Sequence, residues 1–428
     1  MLQAQISKED LNDNMKNILL IPGHVVNPFF ENEIDYVKKI FNIAVVFDYG
    51  DEREAAESVL RKHGIPADKL YIIPHVRTSI LKGRLNPFSL LGWLHRKEVW
   101  KEIKEKCFKG HKKIKKLLQV IQYGGYALLA EKIVASAGIN SDNLCLYSFW
   151  MAESAYALAY LRDKGYFPDS KLVCRAHGGD LYEEREDNEL EYIPFRSYIN
   201  ENMDRISFIS EQGKDYFIAR FPQPDNKFIS YLGTKNEDHI RKEIREKNEI
   251  CIASCSNIVE IKRIDLIIST MAHLSGLNVR WIQLGDGTLL DSMKALAEEK
   301  LAGTTVRYEF LGRAANSEIL NIYKKYDVDF LINLSDSEGL PVSVMEAFSM
   351  GIPVVARNVG GTAEIADNET GLLLDAEWTD ENYDKIRNFV KCRNERPEEY
   401  ISFSEKSFAV WQNKFNADKN YTEFFKGF

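Results

Sequence analysis

The feature that most restricts what this chain can fold into is the alternation of its second half. Apolar runs EICIASCS, VRWIQLG, TVRYEFLG, VDFLINLS, IPVVAR and TGLLLD are separated by the helix-like segments RIDLIISTMAHL, TLLDSMKALAEEKL, SEILNIYKKY, PVSVMEAFSM and the shorter TAEIADN. Short apolar strands spaced by amphipathic helices predict a parallel sheet with helices on both faces. Ligands of such open sheets bind beyond the carboxyl ends of the strands, so the loops that follow each run are where chemistry is expected. The first half alternates less cleanly, with strand candidates NILLIPG, IAVVFDYG, LYIIPHV, NLCLYSFW, KLVCRAHGG, DRISFIS and KFISYLGT.

At 428 residues the chain exceeds one ordinary core. Two α/β domains are expected, 16–233 and 249–404. The charged stretch Thr234–Asn248, which lacks an apolar strand, is the linker, and an aromatic tail of about 405–428 packs back on the first domain. The net charge of -8 argues against general nucleic-acid binding. The six cysteines lie mostly in apolar runs and have no zinc-like spacing, so they read as buried free thiols in a reducing cytoplasm. The opening residues lack an apolar h-region, which reads as a short lead-in and not a signal peptide. No stretch approaches the roughly 18 apolar residues of a membrane span.

The most informative segment runs from Asp336 to Glu364, DSEGLPVSVMEAFSMGIPVVARNVGGTAE. Glu338 lies in the loop after a strand, Gly339 permits a tight turn, and Pro341 suits the first turn of a helix that stops at Gly351. Free amides at that helix start would face an anion, and Glu338 and Glu346 would accept hydrogen bonds from sugar hydroxyls. From the residues alone, a capped helix with two surface glutamates is an equal reading. Gly285, Asp286 and Gly287 form another strand-to-helix turn that lets a ligand approach the backbone.

These segments resemble the glycosyltransferases of the GT-B fold, in particular the retaining family 4. Its E-x7-E motif matches Glu338 and Glu346 within EGLPVSVMEAFSMGIPVVA, and the likeness extends over most of Ile250 to Asp375 through VGGTAEI and TGLLL. The resemblance implies two facing Rossmann-like domains with parallel sheets, the donor held mainly by the second. It implies that Glu338 contacts donor-sugar hydroxyls and Glu346 the nucleotide ribose. Gly339, Leu340 and Pro341 would line the sugar and phosphate site, and Gly361 and Thr362 would form a second loop beside it. In SCSNIVEIKRIDLII, Lys262 matches the family's phosphate-binding lysine, whereas Asn257 stands where the family carries an arginine. Arg313 lies in a region resembling the one that lines the base, or is a surface arginine.

In the first half, VCRAHGGDLYEER places His177 just past a strand, where the family often carries a histidine near the reacting sugar. Asp180 and Gly23 are acceptor-side candidates. Residues 93–118 hold tryptophans and leucines among basic side chains, with ten lysines and arginines against three glutamates between Arg96 and Lys116. This predicts contact with an anionic membrane surface, with a solvated helix face as the plainer reading.

The expected function is a retaining, hexosyltransferase-type enzyme that needs no metal or cofactor. It would move a sugar from a nucleotide sugar, UDP- favoured over GDP-, to a glycan or polyprenyl-linked acceptor in polysaccharide biosynthesis. Its expected place is the cytoplasm or the inner face of the membrane. A sugar-nucleotide epimerase of the same fold and a non-catalytic partner subunit are the alternatives.

Overall fold

The computed structural model describes residues 15–108, 110–139, 144–184, 188–236 and 248–428. The chain divides into two units. One runs to Ser230 and includes Tyr421–Phe428, and the other is Tyr231–Asn420.

The first unit carries a seven-stranded sheet: β1 (Lys16–Ile21), β2 (Phe41–Tyr49), β3 (Leu70–Ile73), β4 (Leu144–Ser148), β5 (Lys171–Ala176), β6 (Arg205–Phe208) and β7 (Lys227–Ile229). Their order is β3-β2-β1-β4-β5-β6-β7, and every pairing is parallel. The second unit carries six: β8 (Ile250–Cys255), β9 (Val279–Leu284), β10 (Arg307–Gly312), β11 (Phe330–Asn333), β12 (Val354–Arg357) and β13 (Gly371–Leu374). Their order is β10-β9-β8-β11-β12-β13, again all parallel. Central strands such as β4 and β12 are buried at every position, as a sheet covered by helices on both faces requires. In each sheet the order reverses once, between β1 and β4 and between β8 and β11. Such switch points open a crevice at the carboxyl edge.

The structure adds helices that periodicity did not announce. Val76–Leu81, Pro87–Leu94, Lys97–Glu102 and the 25-residue Lys113–Ala137 lie between β3 and β4. The long helix is buried continuously from Tyr123 to Ala130, so it shows no amphipathic stripe, and its Gly124-Gly125 pair reads locally as a break. A Cβ on Gly124 would sit 2.4 Å from the Trp93 ring, and one on Gly125 would sit 2.3 Å from Val76. The two glycines therefore let neighbouring helices seat directly on its backbone.

Two boundaries are corrected. Thr234 and Asn236 belong to the second unit. The Trp411 indole donates to Thr234 Oγ1 at 3.0 Å, and the Asn236 amide donates to Ser349 O at 2.6 Å. Of the expected linker, 237–247 lie outside the described residues, as do 1–14 of the lead-in. The tail also divides later than expected. Helix Pro397–Val410 and the turn to Phe415 belong to the second unit. Tyr400 donates to Asp329 O and Ser407 to Thr370 O, both at 3.0 Å. Only Tyr421–Phe428 joins the first unit. There Phe424, Phe425 and Phe428 surround Tyr147, and Phe424 lies 3.9 Å under the Arg175 guanidinium. Arg175 is fully buried and ion-paired with Glu33, which also accepts from the Tyr147 hydroxyl at 3.0 Å. All six cysteines are free thiols, five of them buried.

Candidate functional site

In the second unit the switch point brings together the loops after β8 and β11. Asp336 N donates to Ile261 O at 2.8 Å, tying one loop to the other. Across them Lys262 Nζ donates to Glu338 Oε1 at 2.7 Å, and the Asn333 amide donates to the same oxygen at 3.0 Å. Asn333 is itself fixed by Ser335, whose N–H and hydroxyl both donate to its Oδ1. Both bonds to Glu338 fall on Oε1, so Oε2 keeps its capacity to accept from a ligand. Sequence reasoning missed Asn333, since a strand-end asparagine has no pattern of its own. Beside Glu338, helix Val342–Ser349 starts at Pro341 with no side-chain cap. Among the described residues, the amides of Val342 and Ser343 have no protein acceptor.

Gly339, Leu340 and Pro341 lead into that helix, with Leu340 buried. The loop of Gly360, Gly361 and Thr362 closes on them backbone to backbone. Gly361 N donates to Gly339 O at 3.0 Å. A Cβ on Gly360 would lie 1.7 Å from Glu338 O, and one on Gly361 would lie 2.1 Å from Gly339 O. Gly360 also has φ +53°. These glycines serve the packing of one loop on the other. The Thr362 hydroxyl is buried without a hydrogen-bond partner.

Glu346, about one turn into the helix, keeps some solvent access within a dense protein surround, and its carboxyl has no hydrogen-bond partner among the described residues. Burial pushes its pKa up to about 8. It stands within electrostatic reach of Cys255 and Tyr323, the Cys255 thiol being pushed up to about 12, chiefly by burial.

The remaining second-unit candidates separate. Gly285 and Gly287 let the loop after β9 lie on the loop after β8. A Cβ would meet Ser256 O at 1.9 Å or Ile258 O at 2.3 Å. That contact by itself requires glycine at both positions. Asp286 accepts from Gly287 N at 2.7 Å and is exposed. Asn257 is exposed on the β8 loop, and Arg313 is exposed after the edge strand β10. Arg263 pairs with Asp265 and Asp336.

In the first unit, the switch point between β1 and β4 brings Gly23 against Trp150. Gly23 has φ +80°, and a Cβ there would sit 3.0 Å from the Trp150 ring. His177, after β5, stacks on Phe149 with centroids 4.6 Å apart and lies 4.5 Å from Trp150. It is 7% exposed, and neither ring nitrogen has a hydrogen-bond partner. Burial, aided by the Arg175 charge, holds its pKa well below the ordinary value, so the imidazole is neutral. An unpartnered buried polar atom costs about 1–3 kcal/mol.

Asp180 is corrected from acceptor contact to scaffold. Its Oδ1 accepts from His177 N at 2.5 Å and its Oδ2 from Met151 N at 2.6 Å, so both oxygens are spent on backbone. Desolvation pushes its pKa up to about 7. Further along the carboxyl edge, His24, Tyr49 and His75 cluster, with Tyr49 5.9 Å from His24 and 5.0 Å from His75. Glu153, missed in the sequence, lies within electrostatic reach of His24 and Tyr49, and burial raises its pKa. No group of three potential metal ligands occurs among the described residues.

The fold is that of the GT-B glycosyltransferases, two units each built on a parallel sheet with helices. Residues 235–407 match the family model for glycosyl transferases group 1. The O-antigen biosynthesis glycosyltransferase WclY of Escherichia coli is 28% identical over 233 residues, covering 52% of this chain and 60% of that protein. The D-inositol 3-phosphate glycosyltransferase of Mycobacteroides abscessus is 30% identical over 141 residues, covering 32% of this chain and 31% of that one. The chain thus spans at most about three-fifths of these relatives. Among solved structures, a Rickettsia africae glycosyltransferase superposes with TM-score 0.66 at 16% identity, over 97% of this chain and 98% of that one. Anabaena HepE, solved in complex with UDP-glucose, gives 0.64 at 17%, over 96% and 98%.

Proposed function

We propose that this protein transfers a glycosyl group from a nucleoside diphosphate sugar to a hydroxyl of a glycan or lipid-linked glycan, with retention of anomeric configuration. The observation that carries this reading is the Lys262–Glu338 pair beside an uncapped helix start at the switch point of the second unit. The helix amides and Lys262 are a cationic seat for a diphosphate. A helix start contributes roughly 0.3–1 kcal/mol toward an anion, and a preorganised donor at a developing charge considerably more. Glu338 Oε2 accepts from a sugar hydroxyl, and Glu346 accepts from the ribose.

In the reaction the acceptor oxygen bonds to the anomeric carbon on the face from which the diphosphate leaves. The carbon–oxygen bond to phosphate breaks, and the acceptor proton passes to the departing phosphate oxygen. Lys262 balances the charge that builds there. The reaction needs no metal, so activity should survive chelation by EDTA. The acceptor is read by the first unit, with neutral His177 offering either ring nitrogen to a sugar hydroxyl. UDP is favoured as the nucleotide because HepE was solved with UDP-glucose. The relative named for O-antigen biosynthesis supports a surface-glycan acceptor.

The test is a thermal-shift screen of UDP, GDP and their sugar conjugates on wild type and Lys262→Ala. A ligand that binds only the folded protein raises its melting temperature. Stabilisation by a nucleotide sugar in wild type, lost in Lys262→Ala, supports the reading. Equal stabilisation in both, or in neither, overturns the assignment of this seat.

A further inference from the structure

Among the described residues, eight of the twelve large apolar side chains that stand exposed fall between Ile80 and Leu118: Ile80, Leu81, Phe88, Leu91, Trp100, Phe108, Ile114 and Leu118. Scattered exposed apolar residues are ordinary, but these eight fall in one segment, whose helices pack on one another in the first unit. Helix Pro87–Leu94 is the sharpest case. Five of its eight residues are large and apolar, yet only Trp93 is buried. The Trp93 indole donates to the Tyr156 hydroxyl at 2.8 Å and anchors the helix to the unit. Phe88, 80% exposed, and Leu91 are left outside.

The next helix adds charge to the same segment. Lys97–Glu102 continues as a wide turn through Ile103–Cys107, and Val99, Glu102, Ile103 and Cys107 face inward. At 100° per residue, Lys97, Trp100, Lys101 and Lys104 share one arc on the opposite side, and all four are exposed. Lys97, Lys101 and Lys104 have no ion pair among the described residues. Arg96 is engaged with Glu98 and Asp163, and Lys115 with Glu189. From Val76 to Leu118 the sequence holds thirteen basic and three acidic residues, in a chain of net charge -8. Lys109 lies outside the described residues.

We propose that this face of the first unit docks on an anionic phospholipid bilayer. Leu81, Phe88, Leu91 and Trp100 enter the boundary between headgroups and acyl chains, and Lys97, Lys101 and Lys104 meet lipid phosphates. Exposed aromatic and aliphatic side chains beside solvated lysines are the composition of an interfacial helix. Charge complementarity selects this occupant. A second copy of the chain would present the same excess of positive charge and be repelled, and a nucleic acid gives exposed leucines nothing to enter. No helix among the described residues is long and apolar enough to cross a membrane, so the contact is peripheral. The inference stands apart from the donor reading, since none of these residues belongs to the second unit.

Flotation of the full chain with vesicles tests it. One set is an equal mixture of phosphatidylglycerol and phosphatidylcholine, and the other is phosphatidylcholine alone. Wild type should float with the anionic vesicles at low salt, stay behind with the neutral ones, and be largely released at about 0.5 M NaCl. Phe88→Ser with Leu91→Ser should cut the bound fraction roughly tenfold, as should Lys97→Glu with Lys101→Glu and Lys104→Glu. All five positions are exposed, so both variants should melt like wild type and keep the nucleotide response of wild type. The inference is overturned if wild type fails to float with anionic vesicles at low salt, or if both variants float as wild type does. It is also overturned if Phe88→Ser with Leu91→Ser abolishes a concentration-dependent dimer and leaves flotation intact.

Discussion

At the β8–β11 switch point the candidate side chains are paired in charge, Lys262 against Glu338, and the open hydrogen-bonding capacity sits on a carboxylate oxygen and two helix amides. At the β1–β4 switch point the walls are Phe149 and Trp150, and the open capacity sits on a neutral imidazole. The same topology carries different side-chain chemistry at its two switch points. Fixed charge beside helix amides suits a diphosphate, whereas aromatic faces around a neutral histidine suit a sugar, with its apolar ring faces and hydroxyl rim. A charged ligand at the aromatic end would meet ring faces, and an uncharged one at the other end would leave Lys262 bound only to Glu338.

The contrast breaks most visibly at the charged end. Glu338→Ala and Lys262→Ala should each lower kcat about 10²–10³-fold while the melting temperature stays close to that of wild type. Steady-state kinetics of either variant at wild-type rates would remove that residue from the reaction. The aromatic end should break through the scaffold. Asp180→Ala removes two charge-assisted bonds to backbone and should cost about 3 kcal/mol in denaturant unfolding. A loss under 1 kcal/mol would mean that Asp180 does not hold the His177 loop.

Two smaller effects sharpen the comparison. Glu346 has its pKa raised from 4.5 to about 8. The folded protein therefore keeps its proton across that window while the unfolded chain has lost it, and stability falls as pH rises from 4.5 to 8. Glu346→Gln should remove that dependence and stabilise the unliganded protein at pH 8 by roughly 1–2 kcal/mol, after allowance for residual solvent access. It should weaken nucleotide binding at the same time. Melting curves at pH 5 and pH 8 that shift in parallel for both proteins would contradict this. Smallest in stability is His177→Phe, which keeps the stacking and deletes two unpartnered nitrogens. It should leave stability unchanged or raise it by about 1 kcal/mol while lowering turnover with acceptor. Unaltered acceptor kinetics would make His177 a packing residue.

The thirteen strands among the described residues were legible in the sequence as short apolar runs bounded by turn residues and alternating with helix-like segments, even β10, which is not buried at any position. Glu338 and Glu346 stood out as candidates because they share the phrase EGLPVSVMEAFSM, and Lys262 because it lies in another, SCSNIVEIKRIDLII; the structure brings Lys262 to Glu338. The rest was hidden for physical reasons. Helix Lys113–Ala137 is buried on too many sides to show a stripe. Asn333 and Glu153 act through neighbours distant in sequence. The contact of Gly285 and Gly287 with the loop after β8 was not legible, because a glycine that admits another backbone and one that admits a phosphate leave the same trace. Asp180 looked free because its partners are main-chain amides.

The short tail Tyr421–Phe428 carries a consequence for how the molecule comes into being. These eight residues close over Arg175, Glu33 and Tyr147 in the first unit, yet the ribosome supplies them only after all of Tyr231–Asn420 has been made. The first sheet must therefore wait, its buried ion pair open on one side, through the synthesis of the entire second unit. A nascent chain would pass through a long interval in which its earliest-made half is the less finished one, the reverse of the usual order in which domains mature.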